Sequence, residues 1–267
     1  RPRLVLLPQA GARVVELTDL RSGRNWAHPV PSPAPLDAPT DRDVFVGRGC
    51  AWDECFPTIA ADPDGGVPRD HGDLWDRPHV CEANDYSILS TYDGPGYRFQ
   101  RRLSVEGNAV TADYTASRPA DADSPMPWIW SQHFILDTRP GESLVFDGLD
   151  AFDPPLHAGL TGNRVPDIDA GIVQKTYARA QRNAAPGMSG PDGGIRFRWD
   201  GAQAGYCGLW LNFGGLPEHA PVHRMAIEPA TAPAENITAA RSRGGLRTLE
   251  PGGRADWRVT ITLEPPA

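Results

Sequence analysis

The chain has 267 residues, of which 40% are apolar and 22% charged, the make-up of a globular protein able to bury a large core. Its net charge of -8 excludes partners that are gripped through clustered Lys and Arg, so nucleic acid and anionic membrane surfaces are set aside. The 28 glycines and 28 prolines demand many turns and few long helices. No apolar run approaches the roughly 20 residues that cross a bilayer.

In chain order, "RLVLLP" and "ARVVELTD" read as two opening strands. The stretch from His28 to His79 then shows little regular pattern, and loops beyond ~15 residues in compact proteins are usually functional. After it come "DYSILSTYD", "YRFQRRLSVEGN", "AVTADYTA", "WIWSQHFILD" and "SLVFDG", short apolar bursts with partial alternation. A second polar, irregular stretch, "DAFDPPLHAGLTGNRVPDIDAG", is placed at the same rim of the sheet or beside it. The strands "IVQKTYAR", "GIRFRWD", "CGLWLNFGG", "HRMAIEP" and "WRVTITLE" complete the series, and "DGPG", "VEGN", "RPGE" and "PGGR" supply the turns. "ENITAARSRGG" is at best a short helix that closes at a glycine. These runs define an all-β, antiparallel protein, read as one domain over residues 1–267 because no repeat or linker divides it.

Four cysteines, Cys50, Cys55, Cys81 and Cys207, are too few for a disulfide scaffold and form no C-x-x-C pair. They read as free thiols in a reducing cytoplasm. The "NIT" at Asn236 matches a glycosylation acceptor, but so short a match arises often by chance.

Three places combine titratable groups with aromatics. The first is "RDHGDLWDRPHV", where His71 and His79 flank Trp75. The second is "PWIWSQHF", where His133 follows Trp128, Trp130 and Gln132 at the start of an apolar strand. In the third, "HRMAIEPATAPAEN", Glu228 interrupts an apolar strand, where a carboxylate is costly to bury unless it is paired or used. Each has a bland alternative: a strand histidine is more often a hydrogen-bonded structural residue, and a loop histidine is often merely solvated. Two histidines and a glutamate could also make a zinc or iron centre, although no H-x-H pair supports one.

Taken together, these segments resemble the galactose mutarotase (aldose 1-epimerase) superfamily. The resemblance runs from "LPQAGARVVELTDLRSGRNW" to "PGGRADWRVTITL", with "PRDHGDLW", "WSQHFIL" and "GLWLNFGG…MAIEPATAP" in the places of the family's two histidine motifs and its glutamate. It implies a large antiparallel two-sheet β-sandwich whose concave face holds a monosaccharide or sugar derivative. It further implies interconversion of anomers by ring opening at C1, with Glu228 as base, His133 as acid and His71 as a second imidazole at the ring oxygen. No cofactor and no metal is implied, and the state is that of a monomer or homodimer. Trp75, Trp130 and Trp210 are the flat surfaces on which a sugar ring would pack, with Asn212 beside them.

Two departures mark the pocket. Where the family carries an arginine in a "GRxxNRI"-like segment, this chain reads "GRGCAWDECFPTI", with Arg48, Asp53 and Glu54 as the candidate replacements. Where the family carries an aspartate, this chain has "IVQKTYA", and Lys175 is the only lysine among 26 basic side chains. Arg77 is a further candidate for a sugar phosphate. The changes leave two other readings open: a sugar-binding protein without turnover, and a metal-dependent β-sandwich enzyme.

Overall fold

The computed structural model describes residues 1–29 and 51–266. Its strands are, in chain order, β1 (Pro2–Leu7), β2 (Arg13–Asp19), β3 (Arg24–Asn25), β4 (Trp52–Cys55), β5 (Val80–Ala83), β6 (Ser87–Gly94), β7 (Tyr97–Glu106), β8 (Ala109–Ser117) and β9 (Met126–Trp128). They continue as β10 (Ser131–Asp137), β11 (Ser143–Val145), β12 (Ile172–Arg179), β13 (Gly187–Gly190), β14 (Gly193–Trp199), β15 (Tyr206–Phe213), β16 (His223–Ala230), β17 (Arg247–Leu249) and β18 (Arg254–Glu264). The helix α1 (Ile237–Arg243) is capped by Asn236, whose side chain accepts from the Ala239 amide at 2.7 Å. Asn236 therefore has a structural task of its own.

One sheet runs β1-β2-β4-β10-β16-β15-β12, with β3 paired to β2. The other runs β11-β13-β14-β18-β8-β7-β6-β5. All of these pairings are antiparallel. The expected two-sheet antiparallel β-sandwich is thus the observed one. No helix among the described residues is long and apolar enough to cross a membrane.

The second sheet alternates cleanly. Tyr97, Phe99 and Leu103 of β7, Val110, Ala112 and Tyr114 of β8, and Trp257, Val259 and Ile261 of β18 are buried, while their neighbours in sequence are more exposed. The first sheet does not alternate, because its central strands β10 and β16 are covered on both faces. One face meets the core through Trp52 and Phe134, stacked at 5.2 Å. The other face holds the polar row described below.

Several short strands lie where no strand was expected. β4 falls inside the stretch read as irregular, because two acidic residues in four, "WDEC", hide its alternation; β5 and β17 have only three or four residues each, and β13 is half glycine. The second irregular stretch does flank the sheet, through the bridge from Asp153 to Tyr177 of β12.

Candidate active site

Antiparallel register places one residue from each of five neighbouring strands in a transverse row. Asp53 of β4 faces His133 of β10. His133 lies midway between the pairs Ser131↔Ala230 and Ile135↔Ala226, which sets it opposite Glu228 of β16. Glu228 faces Gly208 of β15, and Gly208 faces Tyr177 of β12. Side chains two apart on a strand share a face, so Cys55, Ser131, Trp210 and Lys175 join the row on the same side.

Two ion pairs organise this row. The buried Asp53 carboxylate has Oδ1 2.8 Å from His133 Nδ1 and Oδ2 2.9 Å from Arg13 Nη2. Glu228 Oε2 accepts from Lys175 Nζ at 2.5 Å and from Ser131 Oγ at 3.1 Å. Glu228 Oε1 is buried and has no hydrogen-bond partner among the described residues. Burial pushes the Glu228 carboxyl up, but the charges of Lys175 and His133 and the bonds from Lys175 and Ser131 outweigh it, holding the group below its ordinary value. The same contest, with Arg13 and His133 as the opposing charges, holds Asp53 below its ordinary value. Gly208 leaves the space between Glu228 and Tyr177 open: a Cβ there would lie 3.2 Å from both Glu228 Oε2 and Tyr177 Cε1.

His71 arrives from the loop between β4 and β5. Its backbone is left-handed, φ 59°, a conformation that costs a non-glycine residue about 1–2 kcal/mol. The loop is held by the His71 amide donating to the Ile59 carbonyl, by the Asp73 amide donating to the Phe56 carbonyl at 2.9 Å, and by the Phe56↔Gly72 bridge. This places the His71 ring 5.2 Å from that of His133, edge to face, with Asp70 Oδ1 3.0 Å from His71 Nδ1. The structure therefore brings His71, His133, Glu228 and Lys175 to one place.

Other expected pocket residues lie elsewhere, for definite reasons. Glu54 and Asp53 are consecutive in a strand, so they point to opposite faces. Glu54 enters the core, where it accepts from Trp52 Nε1 at 2.9 Å, Arg101 Nη1 at 3.0 Å, Tyr114 OH at 3.0 Å and Trp130 Nε1 at 2.9 Å. Trp130 is fully buried there, against Tyr114 and Trp257. Trp75 is also buried, and its indole donates to the Asp70 carbonyl at 3.0 Å, bracing the residue before His71. Asn212 closes the turn after β15 by donating to the Leu216 carbonyl and accepting from the Gly215 and Leu216 amides. Arg77 turns its guanidinium toward Asp76, 3.8 Å away. Asp53 itself is spent on His133 and Arg13, so it positions an imidazole rather than meeting a ligand. Trp210 remains on the face of the row, half-buried, with the Arg224 guanidinium 5.4 Å from its ring centre. Arg48 lies outside the described residues.

Arg13, Cys55, Ser131 and Tyr177 were not anticipated. The signal for Cys55 and Ser131 was parity with Asp53 and His133, and that for Tyr177 was parity with Lys175. Nothing in the sequence pointed to Arg13.

A two-sheet antiparallel sandwich with histidine, glutamate and lysine converging on one sheet face defines a β-sandwich of the galactose mutarotase-like fold. In fold it is similar to a galactose mutarotase-like protein from Lactobacillus casei, with a TM-score of 0.71, 15% identity, and coverage of 99% of this chain and 97% of that one. A proposed aldose 1-epimerase from Escherichia coli K12 gives a TM-score of 0.74 at 13% identity over 99% of this chain and 96% of that one. A galactose 1-epimerase from Lactobacillus acidophilus gives 0.66 at 15% identity over 100% and 92%. At these identities the likeness is one of fold. No family model matches the chain, and no curated protein matches it either.

Proposed function

We propose that the protein is an aldose 1-epimerase-like isomerase that interconverts the anomers of a monosaccharide or sugar derivative. One observation carries this reading: Glu228 keeps one buried oxygen without a hydrogen-bond partner among the described residues, across the strand pair from an imidazole backed by a carboxylate. That is the arrangement of a base and an acid on two sides of a small substrate. Glu228 Oε1 takes the proton of the C1 hydroxyl as the bond from C1 to the ring oxygen breaks. His133, bonded through Nδ1 to Asp53, gives a proton to the departing ring oxygen, and His71 lies beside it. Rotation at C1 and reversal of both transfers close the other anomer, with no net change in atoms or protons.

The test is the equilibration of freshly dissolved anomers, followed by polarimetry or NMR over a panel of neutral, acidic and phosphorylated aldoses. Glu228→Gln should abolish the acceleration while leaving the fold intact. If no aldose equilibrates faster than in buffer, the enzyme reading fails. A second reading, sugar binding without turnover, is favoured by the close Lys175 ion pair, which occupies half of the base. It predicts saturable sugar binding that persists in Glu228→Gln.

A further inference from the structure

The thiol of Cys55 has no part in the proton transfers, yet it shares the floor of the site. It is fully buried on β4, facing Ser131 in the register. Its Sγ, one nitrogen of His71 and one of His133 all lie within 4.8 Å of one another. Zinc bound to one sulfur and two imidazoles, at about 2.3 and 2.0–2.1 Å, keeps its ligand atoms roughly 3.5 Å apart. Side-chain movements of about an ångström would close the three donors on one ion.

One further feature favours a cation. A carboxylate is hydrogen-bonded behind His133, with Asp53 Oδ1 2.8 Å from its Nδ1, and Asp70 Oδ1 lies 3.0 Å from His71 Nδ1. The bond to Asp53 fixes the His133 tautomer and leaves Nε2 as its donor atom, the usual support of a metal-ligating histidine.

We propose that Cys55, His71 and His133 form a three-ligand site for Zn²⁺ or a similar borderline divalent cation, with a fourth position open to the pocket. Binding exchanges the Cys55 thiol proton for the metal, so affinity falls as pH falls. The ion and a sugar compete for the same imidazoles; if the epimerase reading holds, zinc is an inhibitor of the enzyme.

The experiment is a titration of the metal-free full-length protein with Co²⁺, followed by displacement with Zn²⁺ in the presence of a chromogenic chelator. One equivalent should give a thiolate-to-cobalt charge-transfer band. Cys55→Ala should remove that band, Cys207→Ala should keep it, and His71→Ala should weaken affinity by at least about tenfold. Circular dichroism melts establish that the variants are folded. Absence of stoichiometric binding, or a band that survives in folded Cys55→Ala, overturns the site. Anomer exchange is measured separately. A cobalt band in a protein without epimerase activity keeps the site and removes the enzyme, whereas activity in a protein that binds no metal does the reverse.

Discussion

Glu228 and Lys175 show how one contact sets the working state of a residue. Burial alone would raise the carboxyl of Glu228, and the Lys175 charge, with that of His133, reverses this. A base whose proton affinity is lowered is ready at neutral pH and lost only on acidification. Lys175→Met leaves the desolvation in place and removes the largest opposing charge, so the proton affinity of Glu228 rises. The acid limb of the kcat/KM profile for anomer exchange should therefore move to higher pH, with lower activity at neutrality. An acid limb that stays in place in the variant would show that Lys175 does not govern the base. Lys175 and Glu228 each stand out in the sequence, but their pairing does not, because Glu228 lies two strands away in the sheet and 53 residues on in sequence.

At the scale of elements, β4 and the loop after it decide what reaches the site. "WDEC" is a strand in which Asp53 and Cys55 face the site while Trp52 and Glu54 face the core, so a single parity assignment would have separated Asp53 from Glu54. The sequence did not supply it, since two buried carboxylates, each satisfied by an arginine, look like the polar residues of a loop. The loop carrying His71 stands out in the sequence by its length and polarity. The structure adds why a glycine follows His71: Gly72 has φ 69°, and a Cβ there would lie 2.0 Å from the Phe56 carbonyl oxygen. Gly72→Ala should cost more than about 1 kcal/mol, since both the dihedral and the space are wrong for alanine. It should also slow anomer exchange, because the displaced segment carries His71. Thermal melts and initial rates check both effects, and a variant with native stability and native rate would show that the bridge does not position the loop.

At the scale of the whole molecule, the long strands of the second sheet were legible because each buries one face against the other sheet, which enforces alternation. The polar links between sheets were not, since they join distant segments: Glu54 of one sheet to Arg101 and Tyr114 of the other, and Arg24 to Glu142. The same interior governs the response to acid. His79 is buried and stacked on Tyr92 at 5.3 Å; burial, aided by Arg101, pushes its pKa from 6.5 to about 3. Burial likewise lowers His28, from 6.5 to about 4, with Arg224 and His223 adding to it. The unfolded chain protonates these rings near 6.5, whereas the folded chain resists until about 3 to 4, so the unfolded state holds more protons in that window. Stability is complete above 6.5 and falls as pH falls toward 4. At about 1.4 kcal/mol per pKa unit, His79 accounts for several kcal/mol and the less buried His28 for less. Glu54 works in the opposite direction, because burial raises its carboxyl despite Arg101, and its protonation favours the folded state. Urea unfolding midpoints measured between neutral pH and pH ~4.5 separate these contributions, because His79→Phe keeps the ring on Tyr92 and removes the titration. The variant should lose roughly half of the slope that the two rings cause, since His28 titrates across the same window; equal slopes would place the acid lability in other groups.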